Sequence, residues 1–243
     1  MYWCHQPRDV VKVHGADAAT YLHSQLSQDL RPLAVGESVW SFVLQPTGKV
    51  DALVRVWRTG DDEFVLDTDA RAGDVLTARL LRFRIRVKAE IERLDWKCIA
   101  VRPDEGGPVV GVQGLPSWGD GVDLLGPNIA PPAGVREGSA DDVSASRIEA
   151  AWPLHGAEII PGDTLPAETG VTAVAVSFTK GCYPGQELVE RMDSRGAVAP
   201  RSLRVVDLDT SGEVVGFAAA DVQVTSRHGS RALAYVRRSA LSA

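Results

Sequence analysis

Apolar and polar positions along the chain recur with periods that mark out short elements. Residues 10–13 read as a strand and residues 18–26 as a helix on which Leu22 and Leu26, four apart, share one face. Asp17 stands where a carboxylate N-cap accepts from unpaired backbone N–H groups. Two β-compatible stretches, residues 38–44 and 50–57, flank Gln45-Pro46-Thr47-Gly48-Lys49, whose Pro and Gly predict a hairpin with a five-residue loop. A strand over residues 63–67 then leads into a helix over residues 72–81.

Residues 82–88, RFRIRVK, alternate strictly between base and apolar side chain. Period two predicts a strand with Phe83, Ile85 and Val87 on one face and Arg82, Arg84, Arg86 and Lys88 on the other. Gly and Pro then supply 15 of the 37 residues from 102 to 138, which reads as a loop-rich part of the domain holding short strands at residues 109–112 and 122–125. A short helix is expected over residues 143–152, ending near Pro153, and a strand over residues 172–178. After Pro200, strand signals at residues 203–208, 214–218, 222–225 and 231–236 alternate with Gly-bearing turns, the pattern of a small β-barrel or sandwich. The fold class this predicts is α+β, with an α+β region over residues 1–199 and a C-terminal β-barrel-like module over residues 200–243.

Composition narrows the class of function. With 243 residues, 44% hydrophobic and 24% charged, the chain has the make-up of a globular protein able to bury its own core, neither disordered nor fibrous. The absence of a long apolar run and of a basic-then-apolar leader implies no membrane span and places the protein in the cytoplasm. A net charge of −6 opposes stable direct binding to nucleic acid. Cys4, Cys98 and Cys182 are widely spaced and odd in number, which suits a reducing compartment. Three cysteines cannot complete a four-cysteine iron-sulfur site without outside ligands. No His or Cys spacing suggests a metal site, so none is assigned.

Residues 180–187 read K-G-C-Y-P-G-Q-E. Gly181 and Gly185 permit backbone angles closed to other residues, and Pro184 fixes its own φ and extends Tyr183, so a rigid exposed loop is expected. Lys180 then stands as a cation near Cys182, an arrangement that favours a thiolate.

This octapeptide resembles the K-G-C-[YF]-x-G-Q-E signature of the YgfZ family, relatives of the glycine-cleavage T-protein, at every fixed position. The continuation LVERMDSRG, the opening segment from Val13 to Asp29, the Thr47-Gly48-Lys49-Val50 hairpin and the C-terminal tail also resemble that family. Arg147-Ile148-Glu149-Ala150-Ala151-Trp152-Pro153 resembles its R-I-E-x-G-x-P segment, with Ala151 where Gly is usual.

The resemblance implies a T-protein-like fold around a tetrahydrofolate site, with a role in assembly or repair of iron-sulfur clusters and an indirect effect on tRNA modification through a cluster-bearing methylthiotransferase. It makes Cys182 the reactive group, as ligand or nucleophile, with Lys180 tuning it. Gly181, Tyr183, Gly185, Gln186 and Glu187 are its cofactor-binding residues. The basic face carrying Arg84 becomes a seat for the γ-glutamate tail of folate, through carboxylate pairing with guanidinium. Trp40 and Trp152 are read as core packing, as alternatives to pterin stacking. Two other functions stay open: a one-carbon transferase using tetrahydrofolate, and a docking protein without folate chemistry.

Overall fold

The computed structural model describes residues 1–104, 106–194 and 199–241. Arg195 and Gly196 of the LVERMDSRG segment lie outside the described residues. In chain order the elements are β1 (Tyr2–His5), β2 (Arg8–His14), α1 (Ala18–Gln25), β3 (Ser38–Leu44), β4 (Val50–Gly60), β5 (Glu63–Asp69) and α2 (Gly73–Phe83). There follow β6 (Glu90–Leu94), β7 (Lys97–Arg102), β8 (Leu115–Pro116), β9 (Val122–Gly126), β10 (Arg136–Glu137) and α3 (Ala140–Glu149). The C-terminal third holds α4 (Thr172–Ala175), α5 (Gln186–Ser194), β11 (Arg201–Asp207), β12 (Val222–His228), β13 (Arg231–Arg237) and α6 (Arg238–Leu241).

The strands make two five-stranded sheets and one of three. The first has the order β3-β4-β5-β2-β6, and the second β10-β1-β7-β9-β8. The chain passes directly from one to the other twice, between β1 and β2 and between β6 and β7, so the two sheets are built as one unit. One face of the first sheet buries Val11, Val54, Val56, Phe64 and Leu66 against Tyr21, Leu22 and Leu26 of the α1 region and Leu76 and Leu80 of α2. Leu22 and Leu26 are both fully buried in this cluster, but the helix ends at Gln25, and Leu26 reaches the cluster from an extended C-cap that bridges to Val43 instead of from a shared helix face. Its other face carries Phe42, Leu44, Val50 and Leu53 into a second cluster with Trp152, Tyr183 and Val189.

Between the two large sheets lies an ion network. Arg55 of β4 donates to both oxygens of Asp67 on β5 at 2.9 and 3.1 Å and to Asp123 of β9 at 2.9 Å. Arg8 of β2 donates to Asp67 at 2.8 Å and pairs with Asp69, while Arg102 of β7 reaches Asp123 at 2.8 Å. Ser117 completes the shell of Asp123 at 2.7 Å. Three guanidinium groups thus face three carboxylates, and charge neutrality with near-complete hydrogen bonding is what makes such burial tolerable.

Several expectations are corrected. No strand covers residues 82–88: Arg82 and Phe83 finish α2, Arg86 has φ of 56°, and Ile85 is 71% exposed. A left-handed residue interrupts extended backbone, and the strand beside β2 begins only at Glu90. Residues 109–112 form no strand, with Val110 exposed, whereas the strand expected at 122–125 is β9. Residues 172–178 begin with the single turn α4, closed by Ala175 N–H to Val171 O and Val176 N–H to Thr172 O, with Ser27 and Gln28 side chains donating to the carbonyls of Ala175 and Val174, and these residues join none of the three sheets. Asp17 occupies the N-cap position of α1 but accepts from the Lys88 N–H instead of capping. Residues 214–218 contribute one bridge, Leu208 to Val214, so the C-terminal module is the sheet β11-β13-β12 and no closed barrel is found among the described residues.

The helix expected at 143–152 starts earlier, at a Ser139–Asp142 capping box, and ends in a Schellman turn. Trp152 N–H returns to Arg147 and Ala151 N–H to Ile148, with Ala151 at φ of 51°. That left-handed angle is a physical reason for glycine at this position in the resembling motif. Arg147 then ties α3 to Glu158 at 2.9 Å and to Ser226 of β12 at 2.7 Å, which fastens the three-stranded sheet to the rest.

Replacing Asp67 by Ala leaves Arg8 with Asp69 and Arg55 with Asp123 but one buried positive charge in excess, and is expected to lower the unfolding free energy by about 3–5 kcal/mol in urea titrations. For Asp123, burial raises its pKa, but Arg102 and Arg55 override this and hold the carboxyl down to about 2. The unfolded chain therefore takes up that proton first as pH falls, and the stability this group gives is present above about pH 4 and lost toward pH 2. Asp123→Asn is expected to flatten the dependence of the urea midpoint on pH in that window.

Candidate functional site

Residues 180–187 lie between two elements that hold them from opposite ends. On one side the preceding segment is bonded to the stretch after α1: Ser27 Oγ donates to Ala175 O at 2.6 Å, Gln28 Nε2 to Val174 O at 2.9 Å, and Ser177 N–H to Ser27 O at 3.0 Å. Lys180 closes this seam. Its ammonium donates to His23 O at 2.5 Å, Leu26 O at 2.5 Å and Gln28 O at 3.1 Å. Burial pushes the amine down to about 8, so it is still protonated at pH 7. None of these hydrogen bonds goes to Cys182; the ammonium also stands 5.1 Å from the Tyr183 ring and feels the charges of Asp29 and Arg31.

On the other side, the loop meets the hairpin joining β3 and β4. A Cβ on Gly185 would fall 2.4 Å from Gln45 O and 2.8 Å from Gly48 Cα, and one on Gly48 would fall 2.5 Å from Leu188 Cβ. Both glycines have φ near +84°. The close approach and the left-handed angle each require glycine here, and together they explain why the hairpin and loop motifs both contain one. Gly181 has open space around it.

Cys182 is exposed between these two fastenings. Cys4 and Cys98 are buried, and burial pushes both thiols up. Tyr183 is buried, with a phenol oxygen that has no hydrogen-bond partner among the described residues; burial, then Glu190, push it up to about 12. Gln186 is engaged inside the motif, accepting from Tyr183 N–H at 3.3 Å and donating to Glu190. Glu187 stands exposed in the first turn of α5, where a carboxylate suits the helix dipole. A cleft of about 250 Å³ lies beside α5, walled by Pro166, Ala167, Phe178, Leu188, Val189 and Met192 with Thr172 as a polar member.

Arg84 is elsewhere. At the C-cap of α2, it donates to Ala89 O at 2.8 Å and pairs with Glu90, and without a strand over residues 82–88 there is no basic strand face to seat a folate tail. Trp40 and Trp152 meet edge to face at 4.7 Å, with Arg8 and Arg55 over the Trp40 ring, which is packing. Arg79, not singled out from sequence, clamps Leu44 O with two nitrogens while its buried Nη1 has no hydrogen-bond partner among the described residues. The signal available for it was an arginine amid the apolar positions of the second helix. Among the described residues no group of three or more His, Cys, Asp or Glu is placed to hold a metal ion, and no helix is long and apolar enough to cross a membrane.

With this geometry the chain can be set beside known proteins. The fold is similar to that of an aminomethyltransferase: it superposes on the glycine cleavage system aminomethyltransferase T of Bartonella henselae with a TM-score of 0.70 at 18% identity, covering 98% of this chain and 78% of that one. By sequence it is 28% identical to the human mitochondrial iron-sulfur cluster assembly factor IBA57, over 86% of this chain and 68% of that protein. It is 26% identical to the tRNA-modifying protein YgfZ of Enterobacter sp. 638, over 76% of this chain and 65% of that protein. The chain is thus a homologue of YgfZ, as the loop motif implied, and also of IBA57, both at modest identity. No family model matches it. The chain spans from about half to two thirds of the length of the curated relatives it matches, 51% to 68% in the extremes.

Exposure separates the three thiols, and Ellman's reagent is expected to titrate one equivalent, Cys182, in the native protein. All three should react in denaturant.

Proposed function

We propose that this protein is a tetrahydrofolate-binding accessory factor for assembly or repair of iron-sulfur clusters, acting in the cytoplasm, with Cys182 as its working group. The observation that carries the reading is the accessible thiol on a loop braced from both ends, within a chain homologous to a cluster assembly factor. Sulfur is a soft ligand and a nucleophile, and its accessibility serves either role. Its partners would be cluster-bearing enzymes such as a tRNA methylthiotransferase, met transiently, which accounts for an influence on tRNA modification without stable contact to RNA.

The donor set suits a reduced folate. A pterin edge carries paired hydrogen-bonding groups and needs polar atoms not already engaged, and Tyr183 Oη and Arg79 Nη1 are buried atoms of that kind. Arg79 meets the end of β3 at Leu44 O from the α2 side of the sheet, and Tyr183 lies in the cluster on the other side with Leu44 and Val50, so each would serve a different part of such a ligand. The cleft beside α5 is smaller than the roughly 300–1,000 Å³ of typical ligand pockets, so it suits one apolar ring of such a ligand, not the whole. Tetrahydrofolate, when bound, would supply a one-carbon carrier. Gly181, Gly185, Gln186 and Glu187 would shape the loop at its margin, with residues 1–199 as the folate-binding region and residues 200–243 as the β-module packed on α3.

The fold of an aminomethyltransferase favours one other reading, transfer of a one-carbon unit to tetrahydrofolate. Turnover that depends on glycine and a lipoyl carrier would select it.

Titration of tetrahydrofolate against tryptophan fluorescence is expected to show saturable binding. Tyr183→Phe deletes one oxygen that has no hydrogen-bond partner among the described residues, so its stability should be equal or higher while tetrahydrofolate binds about tenfold more weakly. No saturable binding by the unaltered protein would remove folate from the account.

A further inference from the structure

The role of Lys180 follows from where its three protons go. A helix leaves its last carbonyls without internal partners, and those of the α1 end and the turn after it, His23, Leu26 and Gln28, converge on one point. An ammonium offers three donors in a compact tetrahedral head, and its charge suits a helix C-terminus. Arginine's planar fork does not match three converging acceptors, and a neutral side chain would leave buried carbonyls unpaired. Cys182, two residues on, begins where this fastening ends. Three residues further, the backbone of Gly185 sits against Gln45 and Gly48 with no room for a methyl group. The exposed segment of Gly181 and Cys182 is therefore suspended between a polar clamp and a glycine contact.

We infer that Lys180 is a positioning residue for Cys182: it fixes where the sulfur stands by fastening the loop to the end of α1, and the Gly185–Gly48 contact fixes the same loop from the hairpin side. This replaces the expectation that Lys180 acts on the thiol's acidity, since the ammonium's hydrogen bonds all go to carbonyls. It rests on the reading that Cys182 is the working thiol.

The test uses the full chain carrying a nitroxide label on Cys182, the other two cysteines being buried. Lys180→Met removes all three donors, Lys180→Gln keeps an amide with two, and Gly185→Ala and Gly48→Ala disturb the opposite fastening. Circular dichroism establishes which variants fold, and the conservative Lys180→Gln carries the test if Lys180→Met does not. The expected result is loss of the immobilised component of the spin-label spectrum in Lys180→Met, a smaller loss in Lys180→Gln, and a loss in the glycine variants. The pH midpoint of Cys182 alkylation by iodoacetamide should stay in place in the lysine variants. A midpoint that rises in Lys180→Met shows that the lysine acts on thiol acidity and overturns the inference. An unchanged label spectrum in the folded lysine variants overturns it equally. If Cys182→Ala supports function in cells, the functional reading fails while the spectroscopic result still decides the positioning role.

Discussion

The fold depends on the neutralisation of three buried arginines by three aspartates between its two large sheets. Arg8, Arg55 and Arg102 come from strands β2, β4 and β7, and Asp67, Asp69 and Asp123 from β5 and β9. Buried ion pairs contribute little net stability against a well-packed apolar alternative, because desolvation offsets most of the attraction. Their effect is on specificity. A one-residue slip of β4 against β5 would turn Arg55 away from Asp67 and leave buried charges without partners, so register is enforced by a penalty of several kcal/mol.

That register has a consequence at the candidate site. With β4 locked against β5, and β3 paired to β4, the hairpin tip is delivered at a fixed place, and Val50 N–H donates to Thr164 O at 2.9 Å on the segment leading to the loop. Gly48 then meets Gly185. The position of an exposed thiol is thereby linked, through one hairpin, to ion pairs in the interior. Chemistry at such a thiol needs an accessible sulfur on a backbone that does not wander, and rigid elements below a short loop supply that.

Much of this was legible in the sequence, for identifiable reasons. The hairpin showed itself through β-branched runs around a Pro/Gly turn, and the three C-terminal strands that formed were marked by alternation between glycine turns. The 180–187 loop was legible because its residue types constrain the backbone. Residues 82–88 misled because period two describes side-chain alternation and says nothing about whether a neighbouring strand is available. Residues 172–178 misled for the same reason: the alternation is present, but Val171 O and Thr172 O take the N–H groups of Ala175 and Val176 in a turn, whose end bonds to Ser27 and Gln28, about 150 positions away. Lys180 is legible as a cation two residues from Cys182, but only the fold shows the three carbonyls that receive its hydrogen bonds. The ion network left a trace, an Arg in the middle of β4 and an Asp in β5, but a charge within an apolar strand does not name its partner.

The role proposed for Cys182 is to serve iron-sulfur enzymes through its exposed sulfur. The measurement that tests it most directly is the activity of those enzymes, a tRNA methylthiotransferase among them, in cells lacking this protein and supplied with either the unaltered chain or Cys182→Ala at equal abundance. Restoration by the unaltered chain alone is the result predicted here. Equal restoration by both, or no loss of activity to restore, would contradict it.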